Sequence, residues 1–384
     1  MRRNHVALLL VTALALGAAA CGAQEKERFA PPSDRGDPSA EPFGELGSLD
    51  RYLDEHWPDG AGGTVLLARD GEPVACEGRG LADRAAGTAA DCDTVYDIGS
   101  VTKSFTAAAV LVLESSGDIE LDAPVSRYLG RPPEDGRGIT VHQLLTHTAG
   151  LPEALGDDYD PLSREEMITG ALAAEPVSAP GDEYHYSNVG YSLLAALVEV
   201  VSGRDYERFL RDELFEPAGM TRTGYVLPDW DPERVAVEYD RHGTPHGRPY
   251  EHPWADDGPH WNLRGNGGLL STATDMLAWY RALAGDDVLD QRAKDLMWEP
   301  HVPEPGLGTF YGYGWVIAEV PDRGTVVTHN GGNDWSLCRY AQLPDEGTMV
   351  FWVSNSAYRD GEWDLDEQEP EFSLDLAALA RDAD

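Results

Sequence analysis

Ser100 and Lys103 stand three residues apart in Gly99-Ser100-Val101-Thr102-Lys103-Ser104-Phe105. That spacing puts both side chains on one face of a helix. A serine hydroxyl is a poor nucleophile until a base takes its proton. An amine one turn away can be that base if burial lowers its pKa. The residues that follow, Ala107 to Leu113, are almost all apolar, so the helix is expected to be buried. Composition sharpens the point. The chain has 29 basic residues, and only Lys26, Lys103 and Lys294 are lysines. Its surface charge is carried by arginine, which cannot give up its proton in a protein, whereas a buried ammonium can. For an isolated Ser-x-x-Lys the ordinary reading is a lysine snorkelling to the surface, so the rest of the chain must decide.

Three further stretches line up with the pair. Tyr186-Ser187-Asn188 closes the run Pro180 to Asn188 and leads into an apolar helix. Gly265-Asn266-Gly267-Gly268 precedes another helix, and Thr328-His329-Asn330-Gly331-Gly332 ends a strand. Tyr186 is a second candidate base. Asn188 can hydrogen-bond a substrate amide and Lys103. The backbone N–H of Ser100, at a helix N-terminus, can form half of an oxyanion hole. Gly331 and Gly332 let a substrate lie against the strand edge with no side chain between. Taken singly, Tyr186 could be a core tyrosine and Asn188 a helix N-cap.

In this order the motifs resemble the serine β-lactamase and penicillin-binding-protein superfamily, in the branch of class C β-lactamases, D-alanyl-D-alanine carboxypeptidases, D-aminopeptidases and related esterases. The family pattern is S-x-x-K, then Y-x-N, then K-T-G or H-x-G on a strand. Here these are Ser100 and Lys103, Tyr186 and Asn188, and His329-Asn330-Gly331. The likeness extends to Leu144–Leu151, Glu216–Met220 and Tyr311–Trp315, and spans roughly residues 45 to 356. It implies Ser100 as nucleophile, with Lys103 and Tyr186 sharing the proton traffic. Asn188, His329, Asn330 and Gly331 would bind substrate, and the backbone N–H of Gly332 would complete the oxyanion hole. His147 would shape a loop beside the site. No cofactor is implied.

The sequence also departs from the pattern. Asn330 replaces a threonine whose hydroxyl often meets a substrate carboxylate, and His329 carries less fixed charge than lysine. Asn333-Asp334-Trp335 puts a carboxylate and a large ring where small residues are usual. With a net charge of −39, this disfavours substrates that bear a carboxylate, as penicillins and peptides ending in D-Ala do. The expected reaction is hydrolysis of a neutral or aminated ester or peptide-like amide through an acyl-enzyme. The substrate would be a small molecule or peptide, with a cell-wall origin in keeping with the resemblance. A true β-lactamase and a non-catalytic peptidoglycan-binding surface protein are the alternatives.

The elements that must hold these residues can be read in outline. Thr64–Ala68 and Val74–Gly78 flank Asp70-Gly71 as a hairpin. Tyr313–Val320, Thr325–His329, Leu337–Leu343 and Thr348–Ser354 read as an antiparallel meander with two Pro-Asp-x-Gly turns. Helices are expected at Ser48–Trp57, after Ser100, at Tyr191–Val201, Asp205–Leu214, Thr274–Leu283 and Ser373–Ala380. Thr140 with Gln143 and Ser163 with Glu166 form capping boxes. Residues 225–260 read as a long loop and 359–371 as an acidic, solvated one. Strands at both chain ends with helices between predict an α+β, β-lactamase-like fold. An antiparallel sheet of about five strands is flanked by helices and carries a mostly helical insertion, with the active site between them. The sheet part would be residues 45–116 and 261–384, and the helical part 117–260.

Arg2 and Arg3 followed by the apolar Val6–Ala20 read as a secretory signal over residues 1–20, too short to span a bilayer comfortably. Gly17-Ala18-Ala19-Ala20-Cys21 resembles a lipoprotein signal, which would make Cys21 a lipidated N-terminus on the outer face of the bacterial cytoplasmic membrane. Simple cleavage and secretion is the alternative. Residues 21–44 then form the anchor and a Pro-, Asp- and Ser-rich tether, and 45–384 the folded domain. The acidity argues against nucleic-acid partners. Cys76 and Cys92 enclose the shortest loop for a disulfide in an exported protein. The cysteine spacings match no zinc motif, and His242, His246, His252 and His260 lie in a loop without ligand spacing, read as solvated, so no metal is expected.

Overall fold

A computed structural model describes residues 49–383 except 131–135, 137 and 322. The signal, Cys21 and the tether lie outside the described residues. The elements that matter, in chain order, are helix α1 (Leu49–His56), strands β1 (Gly63–Arg69) and β2 (Glu72–Arg79), helix α2 (Thr102–Ser115), helix α3 (Asn188–Ser202) and helix α4 (Ala273–Ala284). After them come β3 (Val302–Pro303), β4 (Phe310–Tyr311), β5 (Val316–Val320), β6 (Gly324–Gly332), β7 (Leu337–Leu343), β8 (Thr348–Ser354) and helix α5 (Leu365–Asp382).

The strands form one sheet in the order β2-β1-β8-β7-β6-β5-β4-β3, with antiparallel neighbours. It is wider than the five or so strands expected, because two-residue strands at 302–303 and 310–311 extend its far edge; runs that short leave little alternation to read. The first strand pairs with the last, Gly63 opposite Ser354 and Arg69 opposite Thr348. Both faces are covered, which is why β1 and β8 read as continuous apolar runs. Val65, Leu67, Val350 and Trp352 pack with Tyr52, Phe372 and Leu376 of the two terminal helices. Leu66, Phe351 and Val353 face the opposite core, which holds Phe105, Leu193 and Trp279. The α+β layering is thus the expected one.

Two local readings need correction. The acidic run after residue 363 is not a solvated loop. Asp364 caps α5 by accepting from the N–H groups of Asp366 and Glu367, and Glu369 forms a buried ion pair with Arg339 of β7. The helix therefore starts eight residues earlier than its apolar stripe suggests. Residues 225–260 are mostly irregular, as read, but fold against the site and include a short hairpin of Glu238–Tyr239 with Pro245–Gly247. The two capping boxes at Thr140 and Ser163 are present. Cys76 and Cys92 form a disulfide, and Cys338 is free and buried.

Candidate active site

Ser100 sits on a single 3-10 turn, Gly99–Val101, that runs into α2. The turn is pressed against the end of β6 so closely that glycine is required on both sides. A Cβ on Gly331 would lie 2.1 Å from the Ile98 carbonyl oxygen, and one on Gly99, whose φ is +47°, would lie 2.3 Å from the Gly332 nitrogen. This contact brings the backbone nitrogens of residues 100 and 332 to the same end of the cleft.

Lys103 is 0% exposed. Its Nζ lies 3.0 Å from Ser100 Oγ and donates to the carbonyl oxygen of Asn266 at 2.7 Å. It stands 4.8 Å from the centre of the Tyr186 ring and 5.7 Å from that of Tyr191. Burial lowers its pKa from the ordinary lysine value to about 7, against the pull of Asp158 and Glu153 upward. A neutral amine at this distance can accept the Ser100 proton. Burial moves the Tyr186 phenol the other way, well above the ordinary tyrosine value, and its contact with Ser100 only partly offsets that. The phenol is therefore protonated in the resting site.

His147, at φ +58°, supports this arrangement. Its Nδ1 accepts from the Ser187 N–H at 3.0 Å and its ring packs on Tyr186 at 4.3 Å between centroids. Ser187, not Asn188, caps α3, its hydroxyl accepting from Gly190 N–H at 3.1 Å. Asn188 is thus released from capping. Its Oδ1 is buried with no hydrogen-bond partner among the described residues, on a cleft it lines with Ser100 and Asn266. The anticipated Asn188–Lys103 bond is absent among those residues; the Asn266 carbonyl takes that place. Gly265–Gly268 stands out in the sequence without a role of its own, because a main-chain acceptor leaves no side-chain signature.

His329 is buried and neutral, its pKa lowered to about 3 by burial and by Lys103. Nδ1 donates to the Asn330 carbonyl at 2.6 Å and Nε2 accepts from the Tyr311 hydroxyl at 3.0 Å. Both nitrogens are occupied, so His329 brings no positive charge to the cleft. Asn330 lies half-buried between His329 and Gly331, opposite Arg339 of β7.

One group of residues was not foreseen. Asp97 and Glu238, 6% and 2% exposed, face each other across the side chain of Asn333. Burial and the charge of Glu238 raise the Asp97 pKa to about 7. His252, read as solvated, is instead within 2.7 Å of Glu238 Oε2 and stacks on Trp335 at 4.4 Å. His246 stacks on Trp335 as well, at 4.7 Å. Asn333 thereby joins positions 236 and 95 residues away, and no local spacing announces those contacts. The cleft itself is a slot of about 40 Å³ whose ionisable lining groups are Asp97, Asp158 and Tyr159. Burial raises Asp158 to about 6.

Comparison with known proteins agrees with this architecture. The Beta-lactamase family model matches residues 49–370. Penicillin-binding protein 4* of Bacillus subtilis is 30% identical over 311 residues, covering 76% of this chain and 68% of that protein. Esterase EstB of Burkholderia gladioli is 30% identical over 344 residues, 77% of this chain and 86% of that one. The octameric penicillin-binding protein homologue from Pyrococcus abyssi superposes with a TM-score of 0.72 at 27% identity, covering 84% of this chain and 74% of that chain. The chain belongs to the β-lactamase family, within the serine β-lactamase and penicillin-binding-protein superfamily of serine hydrolases.

Proposed function

We propose that this protein is an exported serine hydrolase that cleaves an ester or peptide-like amide through an acyl-enzyme on Ser100. The observation that carries the reading is the fully buried Lys103 amine 3.0 Å from Ser100 Oγ. In the first step Lys103 Nζ takes the hydroxyl proton while Oγ bonds to the substrate carbonyl carbon. The oxygen of the tetrahedral intermediate rests against the N–H groups of Ser100 and Gly332. Collapse expels the alcohol or amine, which leaves with a proton relayed from Lys103 through the neutral Tyr186 phenol. Water then attacks the ester, with the same groups acting in reverse. Asn188, with its free Oδ1, holds a substrate amide N–H, and Asn330 and Gly331 border the acyl group at the strand edge.

Asp158 in the cleft and the exposed Asp334 at its rim make the site electronegative. A neutral His329 does nothing to offset them. This favours neutral or amine-bearing substrates over the carboxylate-bearing ones of β-lactamases and D-Ala-D-Ala carboxypeptidases. Export and lipidation at Cys21 place the enzyme outside the cytoplasmic membrane, where cell-wall fragments are available to it. The test is a panel of p-nitrophenyl esters, D-amino-acid amides, D-Ala-D-Ala peptides and a chromogenic cephalosporin, with intact-protein mass measured after quenching. An acyl mass on wild type that Ser100→Ala lacks is expected, with the esters or amides turned over fastest. Turnover that survives Ser100→Ala refutes the proposal.

A further inference from the structure

Asn333 uses every hydrogen-bonding position of its side chain. Its Nδ2 donates to Asp97 Oδ2 at 3.1 Å and to Glu238 Oε1 at 2.7 Å. Its Oδ1 accepts from the N–H groups of Trp335 and Ser336, both at 2.8 Å. The amide orientation is fixed by this set, since two carboxylates need donors and two N–H groups need an acceptor. The other ends of the carboxylates are held too. Asp97 Oδ1 accepts from the Gly99 N–H at 2.7 Å, and Glu238 Oε2 is held by His252. Trp335, stacked against His246 and His252, pins the third corner.

The location gives this network its meaning. Asn333 follows Gly332, and Gly99 precedes Ser100, so a path of two hydrogen bonds joins the neighbours of the two backbone donors assigned above to the oxyanion hole. The contact between the 3-10 turn and β6 is made by glycines, and the side-chain bonds beside it are those of Asp97 to the Gly99 N–H and of Cys338 to the Ile98 carbonyl. We infer that Asn333 is a positioning residue that, through Asp97, sets the separation of the Ser100 and Gly332 N–H groups and so tunes stabilisation of the tetrahedral intermediate. This inference rests on the hydrolase reading. Donor placement acts on the transition state more than on the bound substrate, so the effect should fall on kcat and spare KM.

Three variants separate the bridge from the turn it caps. Asn333→Ala removes both. Asn333→Asp keeps an acceptor for Trp335 and Ser336 but loses the donors to Asp97 and Glu238. Asp97→Asn keeps the acceptor for Gly99 but turns a donor toward Asn333. In single-turnover acylation by a p-nitrophenyl ester, each should slow acylation about 30- to 100-fold with KM changed less than about threefold. Affinity for a phenylboronic acid, whose tetrahedral adduct puts an oxygen on the same donors, should fall by a similar factor. Should Asn333→Ala fail to fold, the two isosteric variants carry the test. Acylation within threefold of wild type in folded Asn333→Asp, or a loss confined to KM, overturns the inference. Activity that persists in Ser100→Ala overturns the hydrolase reading itself, whereas a dead Ser100→Ala beside an active Asn333→Asp overturns only the role of Asn333.

Discussion

Replacing Lys103 by arginine keeps a donor for the Asn266 carbonyl but puts a permanent cation in place of a group able to lose its proton. Burial lowers the Lys103 pKa to about 7, so the neutral amine is the native form above that pH. At pH 8.5 about 97% of such an amine is neutral, against roughly one guanidinium in ten thousand. The Tyr186 phenol, raised well above its ordinary range by burial, offers no substitute base. The whole contribution of general-base catalysis should therefore be lost, about 10³-fold in acylation, or ~4 kcal/mol at 1.36 kcal/mol per decade. Lys103→Met, neutral and similar in length, should be equally slow, which separates loss of the base from gain of bulk. The assay is stopped-flow release of p-nitrophenol between pH 5.5 and 9, with thermal unfolding as a check on folding. Wild-type kcat/KM should rise through about pH 7 and then hold, because the active form is the deprotonated one. A Lys103→Arg enzyme within tenfold of wild type at pH 8.5, or a flat wild-type profile, would refute the reasoning.

Two further outcomes test the scaffold. The Cys76–Cys92 bond closes a loop with a sequence separation of 16, so Cys76→Ser with Cys92→Ser should lower stability in urea by about 3 kcal/mol while kcat stays near wild type. Glu369→Gln leaves the buried Arg339 guanidinium without its counter-charge, and should cost about 3–5 kcal/mol in the same urea titration.

How much of this was legible in the sequence depends on how far each signal reaches. Ser100 and Lys103 are one helical turn apart, and Thr140, Ser163 and their partners are three residues apart, so their spacing alone is informative. The strands showed as apolar runs because both faces of the sheet are covered. The start of α5 was hidden because its first two turns are held by a cap and an ion pair across to β7, not by an apolar stripe. The Asp97–Asn333–Glu238 bridge was invisible for a related reason. Each member is an ordinary polar residue in its own segment, and its partner lies on another part of the chain. The family resemblance supplied the order of the motifs, while the geometry reassigned the lysine's second partner from the Asn188 side chain to a backbone carbonyl.

The pairing of β1 with β8 also governs how the molecule comes into being. Gly63 meets Ser354, so the sheet joins segments nearly three hundred residues apart, and folding carries a high contact order. While the chain is still being made, β1 and β2 can form only a lone hairpin, which is marginal in water. The turn that carries Ser100 lacks the strand it is pressed against until β6 arrives. The nucleophile is thus assembled by one of the last parts of the chain to be synthesised. A product truncated before residue 332 is not a smaller enzyme but a chain with an exposed strand edge, open to aggregation and to proteolysis.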